Sequence, residues 1–313
     1  MSQFLDMKTI EVSIVVCTAN REELLKKCLD SLLKQTAKAG SFEVLIVDNS
    51  VKKSAKEIVK DSQKTNKNFK YIHERKTGLS FARNSGWQEA RGKFVAYIDD
   101  DSIADRNWIQ NIISFIAGHP EVLVFGGPFG RYALIPIPRW YPKDFYVLNL
   151  GNKVRPLKAG REWLSGTNMV FKRSILQKYK GFDTALGMSG KKVAYGEETN
   201  LQARIIKKEK TNIYYVPSLK MKHLLSTEKL SLRWLLHSRY LLGKSIVKSH
   251  GRRDTIFYHI ASFAHKFLLM LYYLLLPKPM PVKMRVYHAF VGMFSAVGAF
   301  QNYLNNTLNK PKQ

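Results

Sequence analysis

Three consecutive carboxylates, Asp99, Asp100 and Asp101, follow directly on the apolar run Phe94-Val95-Ala96-Tyr97-Ile98. Adjacent carboxylates repel one another, and a cation relieves that repulsion. A hard divalent ion such as Mg2+ or Mn2+, bridging the acids to phosphate oxygens, is the natural partner. The competing reading is a solvated acidic loop. Two further β-prone runs also end in polar residues: residues 12–17 at Thr18-Ala19-Asn20-Arg21, and residues 42–47 at Asp48-Asn49-Ser50. A fourth cluster, Glu197-Glu198, opens a stretch whose apolar positions Leu201, Ala203, Ile205 and Ile206 read as a helix. Taken alone, acids in a first turn are ordinary partners of the helix dipole.

These side chains need elements to hold them. The runs 12–17, 42–47, 69–72, 94–98 and 122–125 read as strands. Helical periodicity separates them, with Leu24, Leu25, Cys28, Leu29, Leu32 and Leu33 in the first helix and Arg83 and Trp87 in a later one. That later helix follows the Gly78 turn and is expected to stop at Gly92 as its C-cap. Alternating strands and helices predict an α/β fold with a mostly parallel, doubly wound sheet. Its strand ends at Thr18 to Arg21, Asp48 and Asp99 to Asp101 would share one edge, where open α/β sheets bind nucleotides. No G-x-G-x-x-G follows the first strand, which argues against a dinucleotide fold. Residues 164–171 and 213–217 read as two more strands, and His223 lies just beyond the second.

The 313 residues carry a formal net charge of +27, unevenly spread. Residues 1–126 are close to neutral at +3, residues 127–225 reach +13 and residues 226–313 reach +11. Nucleic acid, anionic lipid or a polyanionic substrate would each account for such an excess. Cys17 and Cys28 have no metal-ligand spacing and lie in apolar and helical runs, which predicts buried thiols and a reducing compartment. The mixed-charge N-terminus lacks a signal-peptide core.

Between residues 126 and 163 periodicity is lost. Pro128, Pro136, Pro138, Pro142 and Pro156 alternate with aromatics that include Tyr132, Trp140, Phe145 and Tyr146. A long segment of this kind inside an α/β domain reads as a functional loop, its rings either stacking on sugars or packing over the sheet. Past about residue 230 the chain becomes basic, apolar and helical. Residues 256–276 and 282–304 form two long apolar stretches flanked by Lys and Arg, with a Pro-rich turn at 277–281 between them. His259, His265 and Lys266 interrupt the first, which favours an interfacial helical hairpin on anionic lipid over a spanning pair or packing on the domain.

The blocks V-S-I-V-V-C-T-A-N-R, I-V-D-N-S, G-L-S-F-A-R-N-S-G, Y-I-D-D-D, W-L-S-G-T-N-M-V-F-K-R, K-G-F-D and G-E-E-T-N-L, in this order, resemble a family 2 glycosyltransferase with the GT-A fold, over roughly residues 10–250. The resemblance implies an inverting transfer of a sugar from a nucleotide donor, UDP-linked in this reading, to an acceptor hydroxyl. It implies that Thr18, Asn20, Arg21 and Asp48 contact base and ribose, and that Gly78 and Arg83 serve the nucleotide or its diphosphate. Asp99 and Asp101 match a D-x-D pattern, with Asp101 and Asp99 as metal ligands, Asp100 as a weaker contact and His223 as a further ligand. Glu198, or Glu197 beside it, would be the general base. Gly166, Asn168 and Trp163 would shape the sugar pocket.

On these grounds residues 1–228 are expected to form the GT-A domain, with a nucleotide-binding half at 10–126 and an acceptor half at 127–228. Residues 229–313 would form a helical, membrane-associating appendage. The acceptor would be a lipid-linked or surface glycan at the cytoplasmic face of the membrane. A nucleic-acid-binding protein and a catalytically inactive membrane-docked scaffold are the rivals. No known nucleic-acid module matches the first, and the intact acids oppose the second.

Overall fold

The computed structural model describes residues 10–190, 195–250, 256–275 and 280–308. In chain order the first half comprises β1 (Val12–Thr18), α1 (Glu22–Leu33), β2 (Phe42–Asp48), α2 (Lys56–Thr65), β3 (Phe69–His73), α3 (Leu79–Glu89) and β4 (Phe94–Asp99). Next come β5 (Ser102–Ala104), α4 (Trp108–Gly118), β6 (Val124–Gly126), β7 (Phe129–Tyr132), β8 (Arg155–Pro156), β9 (Met169–Lys172) and α5 (Arg173–Tyr179). Helix α6 (Glu197–Glu209), β10 (Tyr214–Tyr215) and β11 (Met221–Leu224) follow. A 3-10 turn, Thr227–Leu230, leads into α7 (Leu232–His250), α8 (Ile256–Leu275) and α9 (Val282–Leu308).

The main sheet runs β3-β2-β1-β4-β9-β6-β10-β8. Strands β3, β2, β1 and β4 are parallel, whereas β9 is antiparallel to both β4 and β6, which makes the sheet mixed. Alternation along the buried strands feeds two apolar layers. Val12, Ile14, Val16, Ala96 and Ile98 pack with α1 and α4 on one face. Val15, Leu45, Val95 and Tyr97 pack with residues of α3, α5 and α6 on the other. Register then sets the site, because Thr18 pairs with Asp48 and Cys17 with Asp99, bringing three strand ends to one edge.

A second sheet, β5-β11-β7, was not legible as strands in the sequence. It pairs His223 with Ser102, the residue after Asp101, and so carries the histidine back to the acids. Two local expectations change. Helix α3 ends at Glu89 with Ala90 extended, before Gly92. Gly92 instead lets the chain pass close to β1, where a Cβ would come within 2.6 Å of the Ser13 amide nitrogen. Of residues 164–171 only the last three belong to β9, because Asn168 turns back onto Ser165 O before the ladder begins. Both cysteines are free thiols, Cys28 buried and Cys17 half-buried.

Helices α7 and α9 pack closely through small residues, Gly243 against Ser295 and Gly298 against Tyr240. Helix α8 lies along α9, with Gly292 facing Lys266. Its far side leaves Phe257, Leu268 and Leu275 largely exposed. Among the described residues no helix is long and apolar enough to cross a membrane. The Pro-rich turn and the N-terminal stretch fall mostly outside the described residues.

Candidate active site

The strand ends open onto a cleft of about 570 Å3. Thr18, Asn20, Arg21, Gly78, Asp99, Asp100, Asp101 and His223 all line it. Asn20 adopts a left-handed backbone (φ 55°), which a short polar side chain tolerates well. Gly78 (φ 144°) caps α3 with its amide on Asn49 Oδ1 at 2.7 Å, in a conformation that side chains disfavour.

Within the acidic run the three carboxylates take different partners. Asp100 turns back to the first strand end, accepting from Thr18 Oγ1 at 2.7 Å and Arg21 Nη1 at 3.1 Å. It is almost fully buried, and burial pushes its pKa up to about 7 despite Arg21. Asp99 and Asp101 face His223, whose Nε2 lies 3.8 Å from Asp99 Oδ2 and 2.9 Å from Asp101 Oδ1. One ligand-type atom from each of these three lies within 4.8 Å of the others. Burial opposes the Asp101 charge, but His223, Lys229 and Arg21 together hold its pKa below the ordinary carboxylate value. Asp101 Oδ1 is enclosed, with the His223 imidazole as its near polar neighbour. Two carboxylates and one imidazole crowded around such an atom suit Mn2+ or Mg2+.

Arg83 projects from α3 beneath the cleft and is 3 % exposed. Its Nη1 donates to Glu197 Oε1 at 2.7 Å, and Nη2 lies 3.6 Å from Asp99 Oδ1. Burial opposes its charge, yet Glu197 and then Asp99 keep the guanidinium pKa above its usual value. Arg83 therefore links the metal-type cluster to the first turn of α6. There, Gly196 precedes Glu197 with φ 108°, which turns the chain into the helix. Beside the pair, burial first and Glu197 second push the Glu198 carboxyl up to about 8. Glu198 Oε2 is enclosed without a hydrogen-bond partner among the described residues.

Four expected site residues do not line the cleft. Asp48 is fully buried, and its carboxylate accepts from the Ser50 and Ala55 amides and from Tyr71 Oη, so it ties the turn after β2. Asn168 donates to Pro128 O and Leu219 O and accepts from Trp108 Nε1, which stitches the two sheets together. Gly166 faces Arg83: a Cβ there would run into its guanidinium. Trp163 is half-buried and does not line the cleft.

Several cleft residues were not among the expected site residues. Asn49, Thr77 and Met188 complete the rim. Tyr146, from the Pro-rich segment, stacks on His223 at 4.7 Å, and its Oη lies 3.2 Å from Nε2. Lys229 donates to that Oη at 2.6 Å. On the other side of Tyr146 lies a smaller cavity of about 310 Å3, whose lining includes Phe145, Tyr195, Ser238 and Arg239.

Comparison with known proteins gives the family and the fold. The family model described as glycosyl transferase family 2 matches residues 13–180. A glucosyl-dolichyl phosphate glucuronosyltransferase of Haloferax volcanii is 26 % identical over 241 residues, 75 % of this chain and 76 % of that one. EpsH of Bacillus subtilis is 28 % identical over 183 residues, 56 % of this chain and half of that protein. Among solved structures, a mannosyltransferase from Pyrobaculum calidifontis in complex with GDP-Man and Mn2+ superposes with a TM-score of 0.56. It is 17 % identical over 96 % of this chain and 76 % of the other, a likeness that shows a shared GT-A fold. The chain belongs to glycosyl transferase family 2 and is a glycosyltransferase that uses a nucleotide-sugar donor.

Proposed function

We propose that this enzyme moves a sugar, with inversion, from a UDP-linked donor to a hydroxyl of a lipid-linked or surface glycan. The observation that carries the reading is the meeting of Asp99, Asp101 and His223 in the cleft that Thr18, Asn20 and Arg21 line. These three residues would hold Mn2+ or Mg2+, which when bound offsets the negative charge that develops on the departing diphosphate. Thr18 and Arg21, fixed by Asp100, would hold base and ribose at the first strand end. Residues 10–126 would thus form the donor half and residues 127–228 the acceptor half.

On the acceptor side a carboxylate has to take the proton of the attacking hydroxyl. Glu197 is committed to Arg83 at 2.7 Å. Both glutamates keep an unpartnered Oε2 among the described residues, but Glu198 forms no ion pair there and has a pKa raised to about 8, which makes it the stronger base once ionised. The cavity beyond Tyr146, walled by Tyr195 two residues before Glu197, is the natural entry for the acceptor.

Residues 229–313 would dock the enzyme on the cytoplasmic face of the membrane. The exposed apolar side of α8, in a tail (residues 226–313) with a net charge of +11, supports a peripheral attachment to anionic lipid. Flotation with phosphatidylglycerol vesicles tests this part: the protein should float with them and not with phosphatidylcholine alone, and equal recovery in both fractions contradicts it.

The transfer itself is tested by slow hydrolysis of UDP-, GDP- and dTDP-sugars, with Mn2+ and with EDTA. Hydrolysis of one UDP-sugar, lost on chelation and in Asp101→Ala, is the expected result. Hydrolysis that survives both treatments would contradict it. The nucleic-acid-binding and inactive-scaffold readings are not favoured for a family 2 glycosyltransferase with these acids intact.

A further inference from the structure

We propose that Lys229 is a diphosphate-binding residue of the donor cleft and that Tyr146 fixes its position. The proposal rests on the nucleotide-sugar reading above and adds to it a residue from outside the acidic and strand-end motifs. Lys229 sits in the 3-10 turn Thr227–Leu230, between β11 and the basic helical tail. Its side chain reaches back into the cleft that holds Asp99, Asp101 and His223.

The partners of the nearby cations single it out. Arg21 and Lys229 are the cationic side chains among the described residues that line the cleft. Arg21 is committed to Asp100 at 3.1 Å and Asp101 at 3.4 Å. Arg83, below, is committed to Glu197. Lys229 forms no ion pair among the described residues. Its ammonium donates to the neutral Tyr146 hydroxyl at 2.6 Å and lies 4.3 Å from the centre of the same ring. A half-buried ammonium with a phenol as its hydrogen-bond partner retains donors for an anion, and the charges of Asp101, Asp99 and Glu228 offset only part of its desolvation. The diphosphate of a nucleotide-sugar is the anion this cleft would admit.

Tyr146 is built for the positioning task. Its backbone is left-handed (φ 61°), an uncommon conformation for an aromatic residue. The ring lies on His223, tilted by 29°. One hydroxyl thus touches both His223 and Lys229, so the aim of the ammonium is tied to the histidine of the metal-type cluster.

The test is calorimetric titration of the full chain, in saturating Mn2+, with UDP and GDP and with UMP and GMP. In Lys229→Met the diphosphate that binds wild type should weaken about tenfold or more, while the matching monophosphate changes less than about threefold. Lys229→Arg should recover most of the loss. Tyr146→Phe should lose part of the diphosphate preference without loss of monophosphate binding. Lys229→Gln, which keeps a polar side chain at the turn, repeats the measurement if the methionine variant does not fold. Unchanged diphosphate affinity in Lys229→Met, or an equal loss for both classes, overturns the assignment. Wild-type protein that binds neither UDP nor GDP overturns the donor reading itself, which separates the two failures.

Discussion

Arg83→Met removes the positive centre of a buried three-residue chain and leaves its carboxylates behind. Arg83 and Glu197 are 3 % and 4 % exposed and meet at 2.7 Å, so the loss is that of one partner of a buried ion pair. That change costs about 3 to 5 kcal/mol, because the remaining charge stays desolvated. The Asp99 contact is longer, 3.6 Å, and its carboxylate is 28 % exposed, so it adds less than about 1 kcal/mol. Urea unfolding of wild type, Arg83→Met, Glu197→Gln and the double variant reads the pair directly. The double variant should be markedly more stable than the sum of the single losses predicts, with a coupling of about 2 to 3 kcal/mol. Arg83 also holds down the pKa of Glu198, so its removal should move the acid limb of the activity profile to higher pH. Strict additivity, or an Arg83→Met protein within about 1 kcal/mol of wild type, would refute the claim that Arg83 couples the two acidic clusters.

Two further outcomes follow from the same geometry. Gly166→Ala pushes a methyl group into the Arg83 guanidinium and should cost about 1 to 3 kcal/mol in urea unfolding, with much of the loss absent in an Arg83→Met background; equal stability in the wild-type background would show that the packing yields freely. Glu198 is protonated below its raised pKa and becomes a base only above it, so kcat/KM should climb as pH rises through about 8. Glu198→Gln should lower kcat by about a hundredfold or more and remove that limb, whereas a wild-type profile that is level across this range would assign the proton transfer elsewhere.

Much of residues 10–126 was legible because its signals are local. The runs that became β1, β2 and β4 are buried on both faces and therefore apolar throughout, and the cleft lies where their polar ends share a register. The second sheet was harder to read. Strands β5, β7 and β11 are three or four residues long, too short for alternation to stand out, yet they bring His223 to Asp101. Tyr146 and Lys229 join the cleft through contacts 77 and 83 residues apart in the chain, which no spacing rule encodes. Asp48 and Asn168 show the opposite difficulty. A polar residue at a strand end has the same appearance in sequence whether it faces a ligand or satisfies buried backbone, and here both spend their hydrogen bonds on the fold. Gly166, expected to shape the sugar pocket, makes room for the Arg83 guanidinium.

The central claim is that one cleft, built on Asp99, Asp101 and His223, binds metal and donor together. Crystals grown with Mn2+ and UDP, measured at the manganese absorption edge, test it most directly. The account predicts a single anomalous peak among these three side chains, in contact with the diphosphate and absent in Asp101→Ala. A nucleotide bound in the cleft with manganese elsewhere, or with none, would contradict it.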